Sequence, residues 1–175
     1  SKFSLIYAGA QKNLGAAGTT LVVVKKSMLD KICREVPSML NYKVHNEKDS
    51  MFNTPPVFSI YTCLLSLRWL ANNGGINEIE KKNTTKSKIL YDEIDRNSQF
   101  KGFANKDDRS IMNVTFNLVN ESNKEVFDQL ILDSNISGIN GHRSVGGYRA
   151  SIYNAMPIES IQTLVQEMKK FENIV

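Results

Sequence analysis

The sequence predicts an α/β fold, and three observations carry that prediction. Residues 19–24 form a continuous run rich in β-branched side chains, the composition of a buried strand. Residues 112–119 alternate apolar and polar side chains, the period of a strand with one face covered. Residues 76–94, 124–132 and 158–171 instead repeat apolar side chains at three- and four-residue spacing, the stripe of an amphipathic helix.

The chain's 175 residues suffice for a domain that buries roughly 70% of the surface its unfolded chain exposes. Its 22 basic and 18 acidic residues are dispersed, so the net charge of +4 forms no tail for a nucleic acid, and no nucleic-acid partner is expected. No window holds the ~20 apolar residues of a membrane span. Residues 5–10 are too short for a secretory leader and run directly into Gln11-Lys12, so the expected location is cytoplasmic. Cys33 and Cys63 show no metal-ligand spacing; both are expected to be reduced core thiols, with no metal site.

In chain order, residues 3–7 read as a strand that begins with no initiator methionine ahead of it, the expectation for part of a longer protein. Gly9, Gly15 and Gly18 mark a bend before the strand at 19–24. Ser27 is a candidate cap for a short helix over 28–36, closed by Pro37. Residues 38–54 are polar and aperiodic, a long ordered loop of the kind that serves a site or an interface. Asn53-Thr54-Pro55-Pro56 signals a helix start, and Asn73-Gly74-Gly75 its stop. The helix over 76–94 places Ile79, Ile89, Leu90 and Ile94 on its apolar side and Lys81, Lys82, Lys86 and Lys88 on a solvated face. Strands at 112–119 and 148–153 and helices at 124–132 and 158–171 complete an α/β layer, with a boundary between the two regions near residues 73–76.

Three stretches carry chemistry. Lys12 follows a strand and precedes a glycine loop; taken alone it reads as a surface lysine, though the local sequence allows one that attacks a carbonyl, which must be deprotonated, as a partly desolvated pocket favours. Gly141-His142-Arg143-Ser144-Val145-Gly146-Gly147-Tyr148-Arg149 sets two arginines and a histidine around a glycine pair. It is either a surface loop or a site for a doubly anionic small molecule, since the arginine fork pairs with carboxylate and phosphate. Asn53-Thr54 is either a plain helix cap or a phosphate contact at a helix N-terminus.

Taken together, Ala8-Gly9-Ala10-Gln11-Lys12-Asn13-Leu14-Gly15, Met51-Phe52-Asn53-Thr54-Pro55-Pro56 and the run from Gly141 to Ala155 resemble, in order, the signatures of the phosphoserine aminotransferase family. Trp69-Leu70-Ala71-Asn72-Asn73-Gly74-Gly75 and Arg109-Ser110-Ile111-Met112-Asn113-Val114 extend the resemblance over the whole chain. It implies the C-terminal part of an aspartate-aminotransferase-like pyridoxal-phosphate fold: residues 1–73 as the tail of the large cofactor domain and residues 74–175 as a small α/β sandwich with a mostly antiparallel sheet. It also implies a homodimer with shared active sites.

By the same resemblance, Lys12 bonds covalently to pyridoxal 5′-phosphate and later carries the proton between the substrate α-carbon and the cofactor. Gln11 contacts the cofactor phosphate, and Asn53 and Thr54 reach that phosphate from the neighbouring subunit. Arg149 grips the substrate α-carboxylate, while His142 and Arg143 bind its phosphate. The implied reaction moves an amino group from glutamate to 3-phosphohydroxypyruvate in serine biosynthesis; a role in pyridoxine biosynthesis is neither supported nor excluded. One departure is visible: the family usually has proline after the glycine that follows the lysine, whereas this chain has Ala16, a less restrained loop. The family's carboxylate for the pyridine nitrogen and its stacking aromatic find no match, so these 175 residues are expected to be inactive alone, with Trp69 read as helix core. The alternatives are a non-catalytic, small-anion-binding module and another aminotransferase of the same fold.

Overall fold

The structure, a computed structural model, describes residues 2–175. The chain divides into two units, Ser1–Asn72 and Asn73–Val175.

In the first unit, β1 (Leu5–Ala10) and β2 (Thr19–Val24) form an antiparallel hairpin with Leu5 opposite Val24 and Ala10 opposite Thr19. The first strand therefore lies two to three residues beyond the expected 3–7, because pairing with six residues of β2 carries it up to Ala10. The helix expected over 28–36 is absent: only a 3₁₀ turn, Lys26–Met28, forms, with Ser27 inside it rather than capping it. Nine residues are too few to hold a helix without a packed face, and Met28 and Ile32 are exposed. The expected loop over 38–54 instead contains a 3₁₀ turn, Ser38–Leu40, and α1 (Tyr42–Glu47), whose Lys43 N–H donates to the Asn41 side chain at 3.0 Å. Helix α2 (Val57–Asn72) follows, its first turn containing the bond from Ile60 N–H to the Pro56 carbonyl. Cys63 is buried as expected, but Cys33 is exposed and Trp69 is 40% exposed, so neither of these two is a core residue here.

The second unit begins at Gly74, whose φ of +89° is open to glycine and which leads into α3 (Gly75–Arg96). Strands β3 (Phe100–Gly102), β4 (Asn113–Leu118) and β5 (Tyr148–Ser151) make one antiparallel sheet in the order β3-β4-β5. The three-residue β3 escapes sequence reading because it is too short to show a period. Phe100 opposes Leu118, Phe116 opposes Tyr148 and Thr115 opposes Arg149. One face of β4, Val114, Phe116 and Leu118, is buried with Tyr148 and Ala150 among residues from α3, α4 (Lys124–Asp133) and α5 (Ile158–Ile174). Aromatic rings fill its centre: Phe100 lies 5.1 Å from Phe127 and Phe116 stacks on Tyr148 at 5.3 Å between centroids. Arg96 ties α3 to α5 by bonding both Glu93 and Glu172, 2.7 and 2.6 Å away.

The solvated lysine face needs a correction at one position. Lys86 is 3% exposed, because it falls on the buried stripe of α3 with Ile79, Asn83 and Leu90. Residue type had argued for solvent; helical spacing decided for burial.

Candidate functional site

Two groups of functional side chains are each built within one unit. In the first, Gln11 and Lys12 are exposed at the turn that leaves β1, and Gly15 N–H donates to the Lys12 carbonyl at 3.3 Å. The loop that follows lies directly on α2. A Cβ on Gly15 would sit 2.8 Å from Cys63 Sγ, and one on Gly18 would sit 2.5 Å from Ser59 Oγ. Ala16 N–H donates to Thr62 Oγ1 at 3.3 Å, and Ser59 Oγ donates to the Ala17 carbonyl at 2.8 Å. Ser59, Thr62 and Cys63 share one helix face, so the two glycines let the backbone approach a stripe spaced at three and four residues. The Ala16 bond also gives its departure from proline a physical meaning, because proline has no N–H to donate.

Asn53 and Thr54 precede α2 rather than opening it. The Asn53 amide faces Met39 Sδ instead of capping a helix, and His45 Nε2 on α1 donates to the Met39 carbonyl at 2.9 Å. Both residues are exposed.

In the second unit, β5 and the turn before it form a small cleft of about 140 Å³ lined by Phe103, Thr115, Asn117, His142 and Arg149, among others. Strand alternation explains the lining: Tyr148 and Ala150 point into the core, so Arg149 points the other way, beside Thr115 opposite it on β4. Arg149 N–H donates to the Ile139 carbonyl at 2.6 Å, and Tyr148 O–H donates to Asp128 at 2.7 Å, so the strand is held on both sides of the arginine. Burial, reinforced by Asp128, pushes the Tyr148 hydroxyl above its usual range.

The 142–146 turn is closed by Val145 and Gly146 N–H groups donating to the His142 carbonyl at 2.9 and 2.8 Å. Ser144 N–H donates to His142 Nδ1 at 3.3 Å, which makes Nδ1 an acceptor and leaves Nε2–H as the imidazole donor. His142 and Arg143 are both exposed. Gly147, at φ +63°, leaves no room for a side chain: a Cβ would overlap Asn117 Oδ1 and lie 2.9 Å from the Phe116 carbonyl. No carboxylate is among the residues lining the cleft, so the positive charge of Arg149 there favours an anion.

Sequence reasoning missed Phe103, Thr115 and Asn117 as walls of this cleft. The alternation over 112–119 does place Thr115 and Asn117 on one face, but only the pairing of β4 with β5 puts that face under Arg149.

A family model for class-V aminotransferases matches residues 2–164. The chain belongs to the class-V aminotransferase family. Within it, the phosphoserine aminotransferase of Flavobacterium psychrophilum is 61% identical over 99% of this chain and 49% of its own length. Among solved structures, the phosphoserine aminotransferase of Bacillus circulans subsp. alkalophilus superposes with a TM-score of 0.92 at 41% identity, over 98% of this chain and 48% of that one. The pyridoxal-phosphate-bound phosphoserine aminotransferase of Trichomonas vaginalis gives 0.86 at 34% identity, over 95% and 48%. The chain thus spans about half the length of the relatives it matches, and its fold is the C-terminal part of that aminotransferase fold.

Proposed function

We propose that this chain supplies the lysine and the substrate-anion contacts of a pyridoxal-phosphate-dependent phosphoserine aminotransferase. Residues 1–73 belong to its large cofactor domain and residues 74–175 form its small domain. The observation that carries the reading is Lys12: an exposed amine at the end of a strand, on a loop fixed to α2 by Gly15, Ala16, Ala17 and Gly18. The phosphoserine aminotransferases that match 95% or more of the chain support the same assignment.

The residues present fit two ends of the cofactor. Lys12 would supply the amine for its aldehyde, and Gln11, Asn53 and Thr54 would supply neutral hydrogen-bond donors for its phosphate, Asn53 and Thr54 from a second copy of the chain in a homodimer. The bound cofactor provides the electron sink for transamination. Lys12 holds and returns the proton of the substrate α-carbon. Arg149 binds the α-carboxylate through its planar fork, and His142 Nε2–H with Arg143 binds the substrate phosphate. Two separate cationic clamps match a small substrate with an anion at each end, such as a phosphorylated keto acid, and glutamate as donor offers Arg149 the same α-carboxylate. The work is cytoplasmic on this reading.

Borohydride reduction of the purified chain with pyridoxal phosphate, followed by peptide mass analysis, tests the lysine. The expected result is a label concentrated on the peptide holding Lys12 and lost in Lys12→Ala. Equal labelling of the chain's other lysines, or an unchanged total in Lys12→Ala, overturns the assignment.

A further inference from the structure

Strand β5 is only four residues long, yet it carries Arg149, and the chain leaves it through a tight turn into α5. Its last ladder bond is Ile152 N–H to the Met112 carbonyl at 2.9 Å, after which Met156 N–H closes the turn on the Tyr153 carbonyl at 3.0 Å. The turn directs the carbonyls of Ile152, Tyr153 and Met156 toward α3. The Ile152 carbonyl is buried and the other two are partly covered, so water alone does not satisfy them.

Lys86 satisfies all three. Its ammonium donates to the carbonyls of Ile152, Tyr153 and Met156 at 3.2, 2.7 and 3.1 Å, one acceptor for each of its three N–H donors. One helical turn earlier on the same face, the Asn83 amide, 2% exposed, donates to Asn154 Oδ1 at 2.8 Å. A buried cation whose three hydrogen-bond acceptors are backbone carbonyls rather than carboxylates carries a desolvation cost that a neutral residue of similar volume would avoid. A methionine in its place would pack but could hold none of the carbonyls.

We infer that Lys86, seconded by Asn83 and Asn154, is a positioning residue that fixes the exit of β5 and thereby aims Arg149 at the substrate carboxylate. The lever is short: Ile152 lies three residues beyond Arg149, about 10 Å along an extended strand. The other end of β5 is held independently by Tyr148 on Asp128, and the His142 turn closes on its own backbone, so loosening the exit disturbs the carboxylate clamp and spares the phosphate clamp. This inference rests on the reading of Arg149 as the carboxylate anchor.

The test titrates 2-oxoglutarate and inorganic phosphate separately into the purified chain, following the Arg149 and His142 signals by NMR. In Lys86→Met, 2-oxoglutarate should bind about tenfold more weakly at Arg149, a loss typical of a clamp displaced by a fraction of an ångström, while phosphate affinity at His142 stays the same. Asn154→Ala, a milder change in a half-buried residue, should weaken 2-oxoglutarate about two- to threefold and serves if Lys86→Met does not fold. A purely structural lysine would move both affinities together or neither. If the unsubstituted chain shows no 2-oxoglutarate response that Arg149→Ala removes, the reading of Arg149 falls and this inference with it. If that response is present but unchanged in Lys86→Met and Asn154→Ala, only the role of Lys86 is overturned.

Discussion

Between Ser1 and Asn72 three of the described residues are buried, Ala10, Ser59 and Cys63, and two of these lie under the Lys12 loop. From Asn73 to Val175 the sheet and three helices enclose Leu90, Phe116, Phe127, Met168 and Phe171 at 1% exposure or less. The first unit does not lack apolar sequence: Tyr7, Leu21, Val23, Phe58 and Leu64 all stand 40% or more exposed. Within that unit a two-stranded hairpin and one long helix leave their outer faces without a second layer of the unit's own. Apolar composition signals burial, and only tertiary neighbours supply it. Helix α2 shows the same thing, with apolar residues around its whole circumference, as in a helix surrounded by protein.

The sharpest way to break the comparison is a pair of substitutions. Phe116→Ala removes a ring that is fully enclosed and should cost about 3–5 kcal/mol in chemical denaturation followed in the second unit. Leu21→Ala, at a site 52% exposed, should stay within about 0.5 kcal/mol. Equal losses would mean that the first unit has a core in solution after all.

A smaller effect should come from Gly147→Ala, which tests how tightly the second unit holds its site. The left-handed φ and the overlap with Asn117 should together cost at least about 2 kcal/mol and move Arg149. Thermal unfolding and the 2-oxoglutarate titration read the two consequences separately.

The smallest effect is one of pH. Arg109 bonds Asp95 through both carboxylate oxygens, at 2.9 and 2.7 Å, and lies over the Tyr91 ring with its carbon 4.5 Å from the centroid. The hydrogen bond from Arg109 outweighs the burial that would raise the Asp95 carboxyl, and holds it at about 2 against its usual 3.8. Because the folded value is the lower one, this contribution is fully present above pH 3.8 and is lost as pH falls through about 2. An acid titration of stability should therefore be flatter over that window in Asp95→Asn, and an unchanged slope would show that the pair contributes nothing measurable.

Much of the architecture was legible in residue order. The period over residues 112–119, the helical stripes of α3, α4 and α5, and the punctuation at Asn73-Gly74-Gly75 each rest on local physics that the chain carries with it. Short or marginal elements were not legible: β3 exists because Phe100 pairs with Leu118, α1 forms on the Asn41 cap, and residues 29–36 stay outside any helix, with no fully buried side chain among them to anchor one. The site divides in the same way. By itself the sequence determined which residues could do chemistry, Lys12, Asn53, Thr54, His142, Arg143 and Arg149, since motif identity is a property of residue order. Only the tertiary structure decided that Ala16 bonds Thr62, that Asn117 closes over Gly147, and that Lys86 lies buried against the exit of β5. Each of those depends on a partner more than 25 residues away, and no local period encodes a contact at that range.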